Sequence, residues 1–306
     1  MRMLASYIMR GRIQAILSIA VCAALSFVLP PLSYLSAAGV GLVTLRRGSQ
    51  EGLTVSLGVA VVLALLAWIV LAEPVAGFTF ALVMGLPLWV LGSTLRSKTS
   101  LALTLGVAAL MGILLIIVVH AVTTDTTAWW RETLTLVLKP ALLESGMLGD
   151  SSQIDVRLAQ VAKIFTGLLA ASLVLGLMLS LFIARWWQAM LYNPGGFQQE
   201  FRGLRLSAKF ALPTLLLIAL ALLTPGEIGR FASEVLVVVV VVYMIQGLAF
   251  VHRVVAARKA HYVWLVALYG LLLLALPQMG VMLAAAGFTD SWLHRVIKNN
   301  DSVRED

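Results

Sequence analysis

LALTLGVAALMGILLIIVVHAV, from Leu101 to Val122, contains no lysine, arginine, aspartate or glutamate. A helix of that length rises roughly 30 Å, the thickness of the hydrocarbon core of a bilayer. Leu53 to Ala72 reads the same way, and Val161 to Ala184 is interrupted only by Lys163, close to its start. Lipid offers the backbone no hydrogen bonds, so such runs must be helices or strands of a closed barrel. Barrel strands alternate polar and apolar residues. The run from Val235 to Val242 is apolar on every face, which excludes that alternative. The fold class is therefore all-α, a polytopic transmembrane helical bundle.

Working outward, the same pattern marks nine spans, at 13–29, 32–45, 53–72, 75–92, 101–122, 161–185, 210–224, 233–251 and 262–285. Pro277 lies inside the last, where it can split the span into a broken helix, so the expectation is about nine, within eight to ten. The organisation follows: an N-terminal five-span bundle over 1–122 and a non-cytoplasmic loop over 123–160. A C-terminal four-span bundle over 161–286 then contains the cytoplasmic loop 186–208, and 287–306 forms a tail. Arg10 and Arg12 before an apolar run, then Ser36-Ala37-Ala38, imitate a cleavable signal peptide. The apparent cleavage site lies far past the apolar run, beyond Pro30-Pro31, so a retained first helix is expected.

Hydrophobic residues make up 61% of the chain and charged ones 12%, against about a quarter charged in soluble domains. The net charge of +8 would suggest nucleic acid in a soluble protein, but the basic residues cluster in short loops beside spans. A lipid bilayer is the expected partner, and no nucleic acid is. The N-terminal segment and alternate loops hold fourteen of the 22 basic residues, among them Arg46, Arg47, Arg96, Lys98, Arg202, Arg205, Arg258 and Lys259. That bias places the N-terminus in the cytoplasm. Cys22 is the only cysteine, so a disulfide within the chain and a CxxC pair are both excluded.

Two segments outside the spans carry pattern. Trp129, Trp130, Leu134, Val137, Leu138, Ala141 and Leu142 recur at three- and four-residue steps, an amphipathic interfacial helix expected to kink or stop near Pro140. It reads either as a lid over a central cavity or as a passive anchor. On the cytoplasmic side, Asn193-Pro194-Gly195-Gly196 is a strong turn signal. A short helix after it would set Phe197, Phe201 and Leu204 on one face, with Glu200, Arg202 and Arg205 toward water or headgroups. A partner could dock there, or the segment is an ordinary elbow.

No GxSxG, HExxH, phosphate-loop or GxGxxG pattern is present, and no enzyme activity, cofactor or metal is expected. His120, His252, His261 and His294 stand at span ends or in the tail. Glu73, Lys163 and Glu234 fall near span ends, where an interfacial position is the ordinary reading. Gln246 is the polar amide well inside a span, with Tyr243 one turn before it. It is either a pocket wall or a helix–helix hydrogen bond. Small residues at four-residue steps, Ala20 with Ala24 and Ser172, Gly176 and Ser180, mark contact faces.

Three segments carry a resemblance: Asn193-Pro194-Gly195-Gly196-Phe197 with Glu200 to Leu206, Gln246-Gly247-Leu248-Ala249 with His252, and Gly287-Phe288-Thr289-Asp290-Ser291-Trp292. Together they resemble the YybS-like family of bacterial inner-membrane proteins, whose function is not established. The front half, with Pro31 opening a short span that ends in Leu45-Arg46-Arg47-Gly48 before Gly52, is also similar to the substrate-binding subunits of energy-coupling-factor importers. That likeness implies capture of a vitamin or metal ion, together with a membrane coupling subunit and ATPases. It also implies a coupling role for the Ala20/Ala24 stripe. This chain is longer than those subunits and exceeds their usual six spans.

Two classes of function follow. As a solute-binding or transport-type component, the chain would hold a pocket involving Gln246, Tyr243, Trp129 and Trp130. As a non-transporting scaffold or envelope assembly factor, it would act on another membrane protein through Asn193, Pro194, Gly195, Gly196, Glu200, Phe201 and Arg202.

Overall fold

Prolines and glycines punctuate the first third of the chain, and the helices start and stop where they stand. The structure is a computed structural model that describes residues 1–145 and 150–304, with side chains as far as Trp292 except that of Leu71. Helix α1 (Arg2–Ile8) precedes α2 (Arg12–Leu25), so the N-terminal segment is itself helical. Pro30 and Pro31 end the following turn, and Pro31 caps α3 (Leu32–Arg47). Gly48, at φ +113°, reverses the chain into α4 (Ser49–Leu71), a backbone geometry that glycine adopts without strain. Ala72 closes α4 in the left-handed conformation, and Pro74 leads into α5 (Val75–Phe80).

Next comes a π-helical turn, Ala81–Gly85, in which the Leu86 N–H reaches back five residues to the Ala81 carbonyl. Pro87, which has no N–H to donate, stands just beyond it in α6 (Leu86–Lys98). The long α7 (Leu101–Val122) is followed by α8 (Thr126–Ser145) and α9 (Ser151–Ala162). Then come α10 (Phe165–Tyr192), the short α11 (Gly196–Arg202), α12 (Ala211–Leu223) and α13 (Glu227–Ala257). The chain closes with α14 (Val263–Leu274) and α15 (Leu276–Arg304).

The architecture is the expected all-α polytopic bundle. Among the described residues, five helices are long and apolar enough to cross a membrane: Ser49–Val70, Val75–Lys98, Leu101–Val122, Phe165–Tyr192 and Glu227–Ala257. Three shorter apolar helices, Arg12–Leu25, Ala208–Leu223 and Val263–Leu274, bring the number to about eight. The expected span 32–45 is the one that differs in kind. As α3 it is a central strut, every residue from Ser36 to Leu45 buried by its neighbours. The last span is broken at Ala275, one residue before the helix that carries Pro277. Helix α15 continues through most of the expected tail; the side chains of Arg295, Lys298, Asp301 and Arg304, and all of Glu305 and Asp306, lie outside the described residues.

The chain divides into two compact units. The first comprises 1–108, 173–205 and 249–264, and the second comprises 109–172, 206–248 and 265–306. In the first, α3 packs against α2, α4 and α6. Leucine gains little by leaving lipid for protein, so helices in a bilayer hold together chiefly by close fit. The small residues of α3 provide that fit: a methyl group at Gly39 would stand 2.5 Å from Ile19 Cγ1.

In the second unit, α8 and α9 form a helical hairpin around Trp130, Leu134, Ile154, Leu158 and Ala162. Asp150 caps α9, its carboxylate accepting from the Gln153 N–H. Lys139 Nζ bridges to Asp155 at 2.7 Å across the hairpin. Helix α8 runs through Pro140 to Ser145 rather than stopping. The carbonyl that Pro140 leaves without a partner belongs to Leu136, which is exposed, so water or headgroups can satisfy it.

Candidate functional site

A cavity of about 410 Å³ lies in the first unit, among the end of α2, the start of α3, the end of α4, and α5 with its π turn. It sits at the start of α3, about 20 Å along that helix from Arg46 and Arg47. Ala23, Leu63, Ala67, Phe80, Val83 and Met84 form its apolar wall, and Phe27 stands on the rim, 81% exposed. The π turn supplies Val83 and Met84. Such one-residue insertions shift the helix face and recur at functional sites.

The polar part of the lining is Ser26, Ser33, Ser36, Thr79 and Glu73. The hydroxyls share one habit. Ser26 donates to the Ala23 carbonyl at 2.6 Å, Ser33 to Pro30 at 2.7 Å, Ser36 to Ile19 at 3.0 Å and Thr79 to Val75 at 3.0 Å. Each proton is spent on the backbone, and each oxygen keeps acceptor capacity. Glu73, exposed in the turn between α4 and α5, pairs with no basic side chain among the described residues.

Of the residues singled out in the sequence, Glu73 lines this cavity, and the pocket and partner candidates stand elsewhere. Gln246 is fully buried in α13 of the second unit, and both ends of its amide are engaged. Its Oε1 accepts from the Leu206 N–H at 3.3 Å, and its Nε2 donates to Ser291 Oγ at 2.8 Å and Asp290 Oδ2 at 3.3 Å. Tyr243, also buried, has its hydroxyl 3.4 Å from Thr214 Oγ1 and its ring edge-on to Phe288. Gly247 and Gly287 let α13 and α15 cross here, since a side chain at either would collide with the facing backbone.

Trp130 is in the hairpin core and donates its indole N–H to Thr166 Oγ1 at 2.9 Å, whereas Trp129 is 46% exposed. The structure brings the two tryptophans together, and it brings Tyr243 and Gln246 together. None of the four lines the cavity of the first unit.

The Asn193–Leu206 segment forms the turn and short helix read from it, with Gly195 at φ +85°. Glu200 is held by Arg185 in a two-pronged pair at 2.8 and 2.5 Å. Phe201 lies edge-on to Phe182 and His252, and the Arg202 carbonyl accepts from Arg253 at 3.0 Å. The Asn193 side chain folds over Gly196, while Pro194 is exposed in the turn. On α2, Ala20 is buried within the unit and Ala24 is exposed.

Glu234 and His120, read separately as span-end residues in the sequence, form one ionisable site. Glu234, 1% exposed in α13, meets His120 of α7 with Oε2 and Nε2 2.6 Å apart. A methyl at Gly167 of α10 would stand 2.7 Å from the Glu234 Cα, so the two helices meet backbone to backbone at this residue. One helical turn away, Arg230 donates to Thr127 and pairs with Glu227. The partners are 114 residues apart, and only the tertiary fold joins them.

Residues 13–291 match the family described as predicted membrane protein (DUF2232). The chain belongs to this family. No curated protein and no solved structure matches it. The DUF2232 match covers the cavity, the Gln246 cluster and the His120–Glu234 pair alike, so all three lie within the family's own region.

Proposed function

We propose that this integral membrane protein is a solute-binding, transport-type component, and that the cavity of the first unit is where the solute sits. The observation that carries this reading is a cavity of about 410 Å³ with apolar walls and a few hydroxyls in its lining. That size and mixture are typical of small-molecule sites. The likeness of residues around Pro31 to Gly52 to importer substrate-binding subunits supports it further, because that stretch builds α3, whose first turns line the cavity. With the arginine-rich loops in the cytosol, the cavity opens on the far side of an inner membrane, where an importer meets its solute. A membrane coupling subunit and ATPases would supply the energy.

The scaffold reading has less support. Glu200 and Phe201, the side chains best suited to a partner, are engaged by Arg185, Phe182 and His252 of their own chain.

The test is a thermal-shift screen of the purified protein in nanodiscs against vitamins, cofactor precursors and other small metabolites. At least one should raise the melting temperature of the wild type and leave Ala67→Phe, which fills the cavity wall, unmoved. A screen in which no ligand stabilises the protein would overturn the reading.

A further inference from the structure

The lining of the cavity is one-sided in its hydrogen bonding. Ser26, Ser33, Ser36 and Thr79 have each given their proton to a backbone carbonyl, and Glu73 offers a carboxylate. Among the described residues, no lysine, arginine, histidine, asparagine, glutamine or tryptophan lines the space. The first backbone donors of α3 are spent as well: the Leu32 N–H bonds to Leu29 O at 2.9 Å and the Ser33 N–H to Pro30 O at 3.1 Å. A carboxylate or phosphate placed here would face acceptors and a negative charge with no donor to receive it. A ligand that brings its own donors and a positive charge meets the opposite situation.

We propose that the cavity selects a protonated amine carried on an apolar body, the ammonium directed to Glu73 and the serine oxygens and the body against Leu63, Ala67 and Phe80. The inference rests on the solute-binding reading above and names its substrate class. Three further observations agree. Glu73 has no described cation already neutralising it. Two aromatic rings, Phe27 and Phe80, belong to the lining, and aromatic faces attract cations. The apolar wall provides no polar group that a second charged end of a ligand would need. Amino acids and other zwitterions are therefore disfavoured relative to simple arylalkyl or alkyl amines.

The same chemistry has two sources, a free amine and the headgroup of phosphatidylethanolamine, and the experiment separates them. The full chain is reconstituted in phosphatidylcholine nanodiscs, whose headgroups have no N–H donors. Binding of 2-phenylethylamine, tryptamine and hexylamine is measured by calorimetry beside their carboxylate and alcohol counterparts, with empty nanodiscs as the partition control. The amines should bind and the matched acids should not. Glu73→Gln should weaken the amines roughly tenfold to a hundredfold, the value of one hydrogen bond to a charged group, while leaving the alcohols unchanged. The double variant Ser26→Ala/Ser33→Ala, which keeps the charge, should weaken amines and alcohols together.

Acids or alcohols binding as well as amines, or amines indifferent to Glu73→Gln, would overturn the amine assignment and leave solute binding standing. Free amines failing to bind, while phosphatidylethanolamine added to the discs raises the melting temperature of the wild type and not of Glu73→Gln, would support the cavity's chemistry and overturn the free-solute reading. No binding from either source would overturn both.

Discussion

Replacing His120 by leucine removes, among the described residues, the only ionisable partner from another helix that reaches the Glu234 carboxylate, and the structure sets the size of the consequence. The two side chains are 2.6 Å apart, with Glu234 1% and His120 21% exposed. The close approach of Gly167 leaves no room for water on that side of the Glu234 backbone. A buried charge stripped of its partner costs about 3–5 kcal/mol. The reverse variant, Glu234→Leu, leaves an imidazole that keeps some access to its surroundings, so its cost is about 1–2 kcal/mol. Replacing both with leucine restores an apolar contact between α7 and α13. Exchanges of that kind are often neutral, within about 1 kcal/mol.

The cycle therefore predicts a coupling of at least about 2 kcal/mol, well above the few tenths expected of independent sites. The assay is reversible unfolding in mixed micelles, followed for the wild type, the two single variants and the double. If the single-variant losses simply add in the double, the pair is not a unit and the argument from its burial is wrong.

Two other outcomes follow from particular contacts. Gln246→Leu strands the Leu206 N–H and removes a donor from Asp290 and Ser291, so it should destabilise by about 1–3 kcal/mol, while ligand binding in the other unit is unchanged. Calorimetry and a melting curve on the same sample check both halves. Gly39→Val would press on Ile19 in the tightest part of α3 and should cost about 1–3 kcal/mol. Gly106→Ala, with open space around it, should be neutral in the same melt.

The polytopic helical fold was legible because it rests on solvent. A run such as Leu101–Val122 offers the bilayer nothing but apolar side chains, and its backbone has no partner outside its own helix. Local signals were equally plain where one residue type controls the backbone: Pro30-Pro31 between α2 and α3, Gly195 in the turn before α11, and Pro277 at the break before α15. Helix α9 was also within reach, since Asp150 before Ile154, Leu158 and Ala162 is a cap followed by an apolar face. It was obscured by the apolar run of α10 that follows.

The candidate site was not legible, and the reason is that its parts are ordinary taken singly. Ser26, Ser33 and Ser36 flank a proline turn, as serines often do, and only the packing of α2, α4 and α5 around them makes a cavity with unspent acceptors. Gln246 stood out because an amide in an apolar helix is conspicuous, yet the fold engages both ends of that amide. Glu234 looked interfacial because it opens the span read at 233–251, and nothing near it in the chain announced that His120 and Gly167 would stand against it. Hydropathy is a sum over neighbours in the chain, so the sequence by itself determined which long apolar segments are helices and that they belong in lipid. Cavities and ion pairs depend on neighbours in space, and those are set only when helices far apart in the chain close on one another.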